Sequence, residues 1–256
     1  MGLLSNLMYR LRHTPGALGR QGELLAAKQL SRANFWGYRG KILHNVYVPQ
    51  GQDKTTEIDL LYLTKKGIFV LESKNYSGQI YGSETSPYWT STWCTGRTWL
   101  GRPKLEKHRF YNPVWQNQTH INVLSRYLSQ SVPMISLVVF SDRCSLRQIP
   151  PNEREMMICP CRRLFRCIRR AWRRHASVLT AQELDELYQQ LLPLTNPGYA
   201  VKRKHVRDVK KRSGQALVCP LCGGRLVLRT AHSGAYAGRQ FYGCSNYPSC
   251  RYLRDF

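Results

Sequence analysis

Three charged residues lie within two apolar segments, where an unpaired charge is costly. Asp59 belongs to the segment "EIDLLYL", whereas Glu72 and Lys74 end the segment "GIFVLESK". Side chains alternate along a strand, so Glu72 and Lys74 share one face. Two adjacent carboxylates raise each other's pKa unless a cation lies between them, and Mg²⁺ or Mn²⁺ prefers such oxygen ligands. A divalent ion lowers the pKa of bound water and offsets charge on a phosphate, so this set could hydrolyse phosphodiesters.

The pairing of the two segments decides whether these groups meet. The turn "TKKG" separates them, and pairing of Thr64 with Gly67 would place Asp59 opposite Glu72. A bulge at Gly67 would shift the register by one residue and separate the two acids. An acid followed by Glu-x-Lys also occurs in ordinary salt bridges at strand ends. The three residues by themselves therefore leave a structural and a catalytic interpretation open.

Two further segments strengthen the catalytic interpretation. "GRQGE" places Glu23 near the start of a predicted helix, and "NPVWQN" places Gln116 in the first turns of another. In order and spacing these segments and the two strands resemble the nuclease-related domain (NERD) family over about residues 17–130. That family resembles a branch of the PD-(D/E)xK restriction-endonuclease-like superfamily. The resemblance implies that Asp59 and Glu72 bind the divalent metal, Lys74 is the catalytic lysine, Glu23 completes or orients the metal site, and Gln116 is an accessory polar group.

Four cysteines near the C-terminus have the spacing of a zinc site. Cys219 and Cys222 are followed by Cys244 and Cys250, and a Cys-x2-Cys turn supplies two ligands to a tetrahedral ion. A tail this short cannot build a sufficient apolar core, so metal binding would supply its folding free energy. Disulfides are the alternative, which a reducing compartment disfavours.

The segments around these cysteines, "CPLCGGRLVLR" and "GRQFYGCSNYPSCRY", resemble the C4 zinc finger of type IA topoisomerases. The resemblance implies binding of single-stranded DNA, whose bases stack on aromatic rings while arginines contact phosphates. One of Phe241 and Tyr247 is instead expected to pack around the zinc. No segment resembles the topoisomerase catalytic domain. The expected DNA contacts are Arg239, Phe241, Tyr242, Tyr247 and Arg251.

Positive charge dominates the composition. The 256 residues include 39 Lys and Arg against 15 Asp and Glu, a net charge of +24. Such a surplus attracts polyanions, most commonly nucleic acid. Seven arginines lie between 162 and 174, and seven Lys or Arg lie between 202 and 212. The arginine run has an apolar stripe, so it could bind phosphates, lie on an anionic membrane or form a solvated face, and DNA is the simplest partner.

The remaining sequence features concern the compartment. No apolar run reaches the roughly 18 to 20 residues that a membrane span needs, and the N-terminus lacks the long apolar region of a signal peptide. We expect a cytoplasmic protein without a membrane partner, whose thiols stay reduced. Core packing is a simpler interpretation of Cys159, Cys161 and Cys167 than a second metal site, and Cys94 and Cys144 are predicted to be buried thiols.

The elements that must position these residues form an α/β pattern. A helix is predicted from about residue 17 to 32, with Leu18, Leu25 and Leu30 towards one side. Asn112 and Pro113 begin a second helix as N-cap and first helical residue. "ISLVVFS" is a buried strand, and "TAQE" at 180–183 is the capping box of a third helix.

This order predicts a restriction-endonuclease-like mixed sheet flanked by helices, plus a small C-terminal zinc ribbon. The predicted parts are an N-terminal extension (1–16), a NERD nuclease-like domain (17–130), an α/β continuation with the arginine-rich helix (131–195), a basic linker (196–215) and a C4 zinc finger (216–256).

The sequence thus predicts a DNA-binding, metal-dependent nuclease with Mg²⁺ or Mn²⁺ at the acidic site and Zn²⁺ at the finger. The alternative is a catalytically inactive DNA-binding or adaptor protein, against which the intact set of Glu23, Asp59, Glu72 and Lys74 argues. A topoisomerase-associated factor without chemistry of its own would rest on the finger alone. Neither an oligomeric state nor a choice between endonuclease and exonuclease action follows from the sequence.

Overall fold

The computed structural model describes residues 15–51, 54–97, 99–128, 131–150, 156–213, 219, 226–230, 240–248 and 250–255. These residues form five α-helices and twelve β-strands. The helices are α1 (Pro15–Phe35), α2 (Pro113–Leu128), α3 (Leu164–Arg174), α4 (Ala181–Leu191) and α5 (Tyr199–Ser213), with 3₁₀ turns at Cys161–Arg163 and Leu192–Thr195. The strands are β1 (Gly40–Pro49), β2 (Thr55–Thr64), β3 (Gly67–Lys74), β4 (Gly78–Tyr81), β5 (Tyr88–Arg97), β6 (Pro103–Tyr111), β7 (Met134–Phe140), β8 (Cys144–Leu146), β9 (Met156–Pro160), β10 (Leu226–Thr230), β11 (Gln240–Cys244) and β12 (Leu253–Asp255).

The central sheet is mixed, as predicted. Within the described chain its strand order is β1-β2-β3-β7-β9, with antiparallel pairs from β1 to β3 and parallel pairs from β3 to β9. Thr64 pairs with Gly67, which confirms the predicted register of the β2–β3 hairpin. Gly67 has φ of +119°, and a Cβ there would collide with the carbonyl of Pro133. The parallel pairs bring the C-terminal ends of β3, β7 and β9 to one edge.

Helices cover both faces of this sheet, and the residues of β2 and β3 alternate between the two faces. One face packs against α1 and α3 through Leu60, Tyr62, Phe69, Leu71, Ala26, Leu30, Leu164 and Ile168. The other packs against α2 and α4 through Leu61, Leu63, Ile68, Val70, Val123, Leu124, Leu184 and Leu187. Burial on both faces explains why these strands are apolar throughout.

Helix α1 is longer than predicted. One of the residues predicted to lie on its apolar side, Leu25, is exposed. Its buried side carries Ala26, Leu30 and Ala33, spaced i, i+4, i+7. Leu25 lies off that stripe and is 49% exposed. The side chain of Leu18 lies outside the described part of the chain. The small residues of the buried stripe allow α1 to approach the sheet closely.

The predicted helix starts are confirmed at α2 and α4. The Asn112 Oδ1 atom accepts from the backbone N–H of Val114 at 3.0 Å. Thr180 and Glu183 form the reciprocal capping box at the start of α4. These caps satisfy backbone donors that would otherwise have no partner in the first turn.

A second sheet, which sequence patterns did not predict, has the order β6-β5-β4-β8. It packs on the central sheet through Ile80, Trp89 and Phe110, which contact Val138 and Phe140 of β7. The Trp89 and Phe140 rings are stacked, with centroids 6.1 Å apart. Beyond this contact the β5–β6 hairpin extends away from the core.

The C-terminal part contains a small antiparallel sheet of order β10-β11-β12. It is preceded in the chain by α5, which occupies much of the predicted basic linker. Of the described helices, none has the length and apolar character required to cross a membrane.

Candidate active site

Asp59 and Glu72 lie where β2 and β3 separate. The last pair of the ladder is Leu60 with Leu71, so Asp59 and Glu72 are the next residues on the two strands. The backbone N–H of Ser73 donates to the Asp59 Oδ2 atom at 2.7 Å. Glu72 is only 2% exposed. The structure therefore places Asp59 and Glu72 at adjacent positions of the two strands, as predicted.

Strand β1 also changes conformation beside Asp59. Its pairs with β2 include His44 with Leu60 and Val46 with Ile58, which leaves Asn45 opposite Asp59. Asn45 has φ of +49°, a left-handed conformation that asparagine tolerates better than most residues. The irregular backbone of the sheet is thus concentrated at the acidic residues.

Lys74 lies between an acid and an amide. Its Nζ atom is 2.6 Å from Glu72 Oε1 and donates to Gln116 Oε1 at 2.9 Å. Gln116 follows the Asn112 cap by one helical turn, so the capped start of α2 fixes where the amide meets β3. The structure brings Lys74, Glu72 and Gln116 into one hydrogen-bonded group.

His120 and Thr56 belong to the same group, although sequence reasoning missed both. His120 Nε2 is 3.2 Å from Glu72 Oε2, and its Nδ1 is 2.6 Å from Thr56 Oγ1. His120 follows Gln116 by four residues and so lies on the same helical face. That spacing was the available signal. The buried amide of Asn117 fixes α2 against the sheet, since it donates to the Val70 carbonyl and to Ser136 Oγ, each at 2.8 Å.

Glu23 approaches the acids from α1, on the other side of the sheet. The helix comes close to β3 because Gly22 has no side chain. A Cβ at Gly22 would lie 3.0 Å from Ser73 Oγ and 3.1 Å from Asn75 Cβ. Partial burial, followed by the charges of Glu57 and Glu72, raises the pKa of Glu23. The third predicted acid is therefore within electrostatic range of the strand pair.

The two strand acids differ in their electrostatics. Burial and the charge of Glu72 raise the pKa of Asp59 well above its usual value. Burial acts in the same direction on Glu72, but Lys74 and His120 outweigh it and hold the pKa of Glu72 low. For Lys74 the opposing effect of burial is outweighed by Glu72, so the pKa of the ammonium is raised. The site thus contains more buried carboxylate than its one lysine neutralises.

This excess of acid fits a divalent cation. The donors are the carboxylate oxygens of Asp59 and Glu72, which are suited to Mg²⁺ or Mn²⁺. Among the described residues, only Cys219, Cys244 and Cys250 form a group of three or more side chains whose ligand atoms all lie within 4.8 Å. The acidic site therefore offers two strand carboxylates instead of a tight cluster of three acids.

The cysteine group forms a second candidate metal centre. Cys219, Cys244 and Cys250 are buried, and the Sγ atoms of Cys219 and Cys250 are 3.6 Å apart. The backbone N–H of Asn246 donates to Cys244 Sγ at 3.4 Å, as expected for a zinc-binding thiolate. Cys222, the fourth predicted ligand, lies outside the described residues.

The predicted DNA contacts of the finger occupy different environments. Tyr247 is 59% exposed, with the Arg229 guanidinium 6.0 Å from its ring centre, and Arg251 is also exposed. Phe241 is half-buried, whereas Tyr242 packs against the cysteine group. Arg239 lies outside the described residues.

The other cysteines of the described residues do not form a third centre. Cys159 and Cys161 are buried in the core and Cys167 packs against it, consistent with the simpler interpretation. The Cys159 thiol donates to Cys167, and this hydrogen bond lowers the pKa of Cys167. Cys144 is buried as predicted, but the prediction for Cys94 was wrong, because it is exposed where β5 leaves the core.

Helix α3 has the predicted apolar stripe and basic face. Leu164, Ile168 and Ala171 are buried against the sheet. The opposite side forms a shallow groove lined by Arg166, Arg169, Arg170, Arg173 and Arg174.

The described chain thus combines a helix-flanked mixed sheet, with paired acids and a lysine where two strands separate, and a small ribbon that carries three buried cysteines. Residues 18–141 match the nuclease-related domain family, and residues 217–256 match the topoisomerase DNA binding C4 zinc finger family. The chain belongs to the nuclease-related domain family. An uncharacterized protein of Bacillus anthracis is 32% identical over 197 residues, which are 77% of this chain and 85% of that protein.

Shorter stretches are similar to two proteins named DNA topoisomerase 1. The protein of Archaeoglobus fulgidus is 37% identical over 70 residues, 27% of this chain and 10% of the relative. That of Methanocaldococcus jannaschii is 39% identical over 57 residues, 22% of this chain and 6% of the relative. No solved structure matches the chain significantly. The two family matches together indicate DNA binding, and the second, with the cysteine group, supports Zn²⁺ at the C-terminus.

Proposed function

We propose that this chain is a metal-dependent nuclease that hydrolyses phosphodiester bonds in DNA and acts in the cytoplasm. The observation that carries the proposal is the convergence of Lys74, Glu72 and Asp59 at the separation of β2 and β3. An ordinary salt bridge would account for Lys74 and Glu72. It would not account for a second strand acid whose pKa is raised by burial beside them.

Asp59 and Glu72, with the Ser73 carbonyl, would hold Mg²⁺ or Mn²⁺. The ion, when bound, supplies an activated water and neutralises charge on the phosphate. His120 fixes the Glu72 carboxylate through one oxygen, so the carboxylate keeps its orientation towards the gap between the strands. Glu23 adds negative charge from α1 and would complete or orient the metal site.

Lys74 would stabilise the charge that develops on the phosphate. Its raised pKa keeps the ammonium protonated at neutral pH, and Gln116 restricts its position. A donor fixed in advance towards developing charge does not have to reorganise during the reaction. Gln116 is thus a positioning residue for the lysine.

The remaining charged surfaces would hold the DNA. The arginine face of α3 and the basic helix α5 provide contacts to phosphates that are independent of sequence. The finger, folded around Zn²⁺, would bind single-stranded DNA through Tyr247 and Arg251, with Phe241, Tyr242 and Arg239 as further predicted contacts. No membrane partner is required by this proposal.

The decisive experiment compares the parent with the Lys74→Ala variant on single-stranded, nicked, branched and duplex DNA. Reactions contain or lack Mg²⁺, without a chelator, so that zinc stays bound to the finger. We expect cleavage only with Mg²⁺ and a loss of about 100-fold or more in Lys74→Ala. Lys65→Ala, in the exposed turn of the same hairpin, is the matched control and should cleave normally.

Circular dichroism and thermal unfolding establish that both variants are folded. If the parent binds DNA but does not cut it with either Mg²⁺ or Mn²⁺, the adaptor function replaces the nuclease. If Lys74→Ala cuts as fast as the parent, the lysine has been assigned wrongly.

A further inference from the structure

The β5–β6 hairpin projects into solvent beyond its contact with the core. Seven consecutive residues of β6, from Pro103 to Arg109, are exposed, and so is β5 from Cys94 to Arg97. The outer half of the hairpin therefore has both faces in water. A two-stranded ribbon of this kind gains little stability by itself, so its length calls for another explanation.

The tip of the hairpin carries large apolar side chains. Trp99 is 91% exposed and Leu100 is 62% exposed. The exposed residues Arg97 and Arg102 lie on either side of them. Adjacent exposed apolar side chains with a polar rim are typical of an interaction site. A tryptophan flanked by two arginines can stack on planar rings and bind negative charge in the same partner.

The strands leading to the tip are also basic. The exposed residues of β6 include Lys104, Lys107 and Arg109 against the single acid Glu106. This charge complements a polyanion along the whole hairpin.

The base of the hairpin lies at the candidate active site. Tyr76 follows Lys74 by two residues, and its ring stacks on Phe110 of β6 with centroids 4.3 Å apart. The Tyr76 and His108 rings are 5.5 Å apart. A strand rises about 3.4 Å per residue, so a tip about seven residues beyond His108 lies up to about 24 Å from Tyr76. That length corresponds to about seven base pairs of DNA, at roughly 3.4 Å each.

We propose that the hairpin tip is a wedge for the junction between duplex and single-stranded DNA. Trp99, supported by Leu100, stacks on the last base pair or the first unpaired base, while the flanking arginines contact phosphates. Branched or tailed DNA is then the substrate class of the nuclease. The cleavage preference rests on the proposed function, whereas binding to the junction does not.

The test measures binding without Mg²⁺ by fluorescence anisotropy, using a tailed duplex and a blunt duplex of the same paired length. In Trp99→Ala we expect affinity for the tailed duplex to fall about tenfold or more, and affinity for the blunt duplex to change less than about twofold. A 2-aminopurine at the junction should be quenched by the parent and not by this variant. Trp99→Phe, which retains a stacking ring, should restore both signals.

Trp36→Ala is the matched control, because Trp36 is another exposed tryptophan, at 61%. It follows the end of α1, about 20 Å along the helix from Glu23. This variant should bind both DNAs like the parent.

Three results would overturn the wedge: unchanged binding of the tailed duplex by Trp99→Ala, equal weakening on both DNAs, or lost binding to phosphatidylglycerol vesicles with DNA binding intact. The last would make the tip a membrane contact. Junction binding without any cleavage would contradict the proposed nuclease and leave the wedge in place, whereas equal cleavage of tailed DNA by the parent and Trp99→Ala would contradict only the cleavage preference.

Discussion

Asp59 and Glu72 are neighbours whose pKa values are shifted in opposite directions. Glu72 is compensated by Lys74 and His120, so it is ionised at neutral pH. Asp59 receives one backbone N–H from Ser73, which is insufficient against burial and the charge of Glu72. A proton is therefore retained on Asp59 more readily than on an ordinary aspartate. Any cation that binds between the two acids must compete with that proton.

Metal affinity should therefore rise with pH. Below its raised pKa, Asp59 is protonated and must release a proton on binding Mg²⁺ or Mn²⁺, so higher pH favours binding by up to about tenfold per unit. Isothermal titration calorimetry in two buffers of different ionisation enthalpy would measure the released proton. Asp59→Asn is the matched variant and should bind more weakly without proton release. An affinity that does not change with pH would contradict this assignment.

At the scale of elements, the sequence predicted the strands and helix starts that depend on local apolar patterns and capping residues. Continuous apolar strands, the Asn112 cap and the Thr180 capping box predicted β2, β3, α2 and α4 correctly. The β5–β6 hairpin was not predicted, because its outer half has no buried face and therefore no alternation of apolar and polar residues. His120 was not predicted, because its spacing of four residues from Gln116 indicates only a shared helical face, whereas its contact with Glu72 depends on how α2 packs against β3. Leu25 and Cys94 were misassigned for the same reason, since burial depends on packing.

Helix α5 lies in the segment predicted to be a basic linker, and it is docked on the sheet. His205 Nδ1 is 3.1 Å from the Thr55 carbonyl oxygen, and its Nε2 is 3.4 Å from Glu57 Oε2. Tyr47 donates to the other Glu57 oxygen at 2.6 Å and meets the His205 ring edge-on. Glu57 lies two residues from Asp59 on β2. The basic helix is thus attached directly beside the candidate active site.

Removing this attachment should release α5 without unfolding the sheet. We expect His205→Ala to lower the free energy of unfolding by about 1 to 2 kcal/mol, because the hydrogen bonds at Thr55 and Glu57 are lost. Hydrogen exchange of residues 199–213 should accelerate, while exchange in β2 and β3 stays slow. Val206→Ala, at the neighbouring position where the side chain is 51% exposed, is the control. Unchanged exchange in His205→Ala would show that α5 is held by other contacts.

At the scale of the whole molecule, the net charge of +24 is arranged on separate surfaces. The arginine face of α3, the basic helix α5 and the β5–β6 hairpin each carry a cationic surface. Contacts between such surfaces and phosphates release counterions, so their contribution to binding weakens as salt increases. The molecule should therefore hold DNA over an area larger than the active site.

The arginines of α3 should contribute measurably to this salt dependence. Arg169 and Arg173 are one turn apart on the exposed face. Replacing both by alanine should reduce the slope of log affinity against log salt by up to about two, equally for duplexes of different sequence. Lys28→Ala, which removes an exposed charge from α1, should leave the slope nearly unchanged. A slope identical to that of the parent would show that α3 faces solvent only.

Helix α1 lies close to β3 at Gly22 and Ser73, so a small increase in side-chain volume at either residue would change the distance between the two elements. The Ser73 hydroxyl and the Asn75 side chain occupy the space that a side chain at residue 22 would need, and Glu23 is the next residue of the helix. Substituting residue 22 or 73 by progressively bulkier side chains would tilt the helix outwards in small steps. The distance from the Glu23 carboxylate to Asp59 and Glu72 would then increase stepwise, while every charged residue of the site is retained.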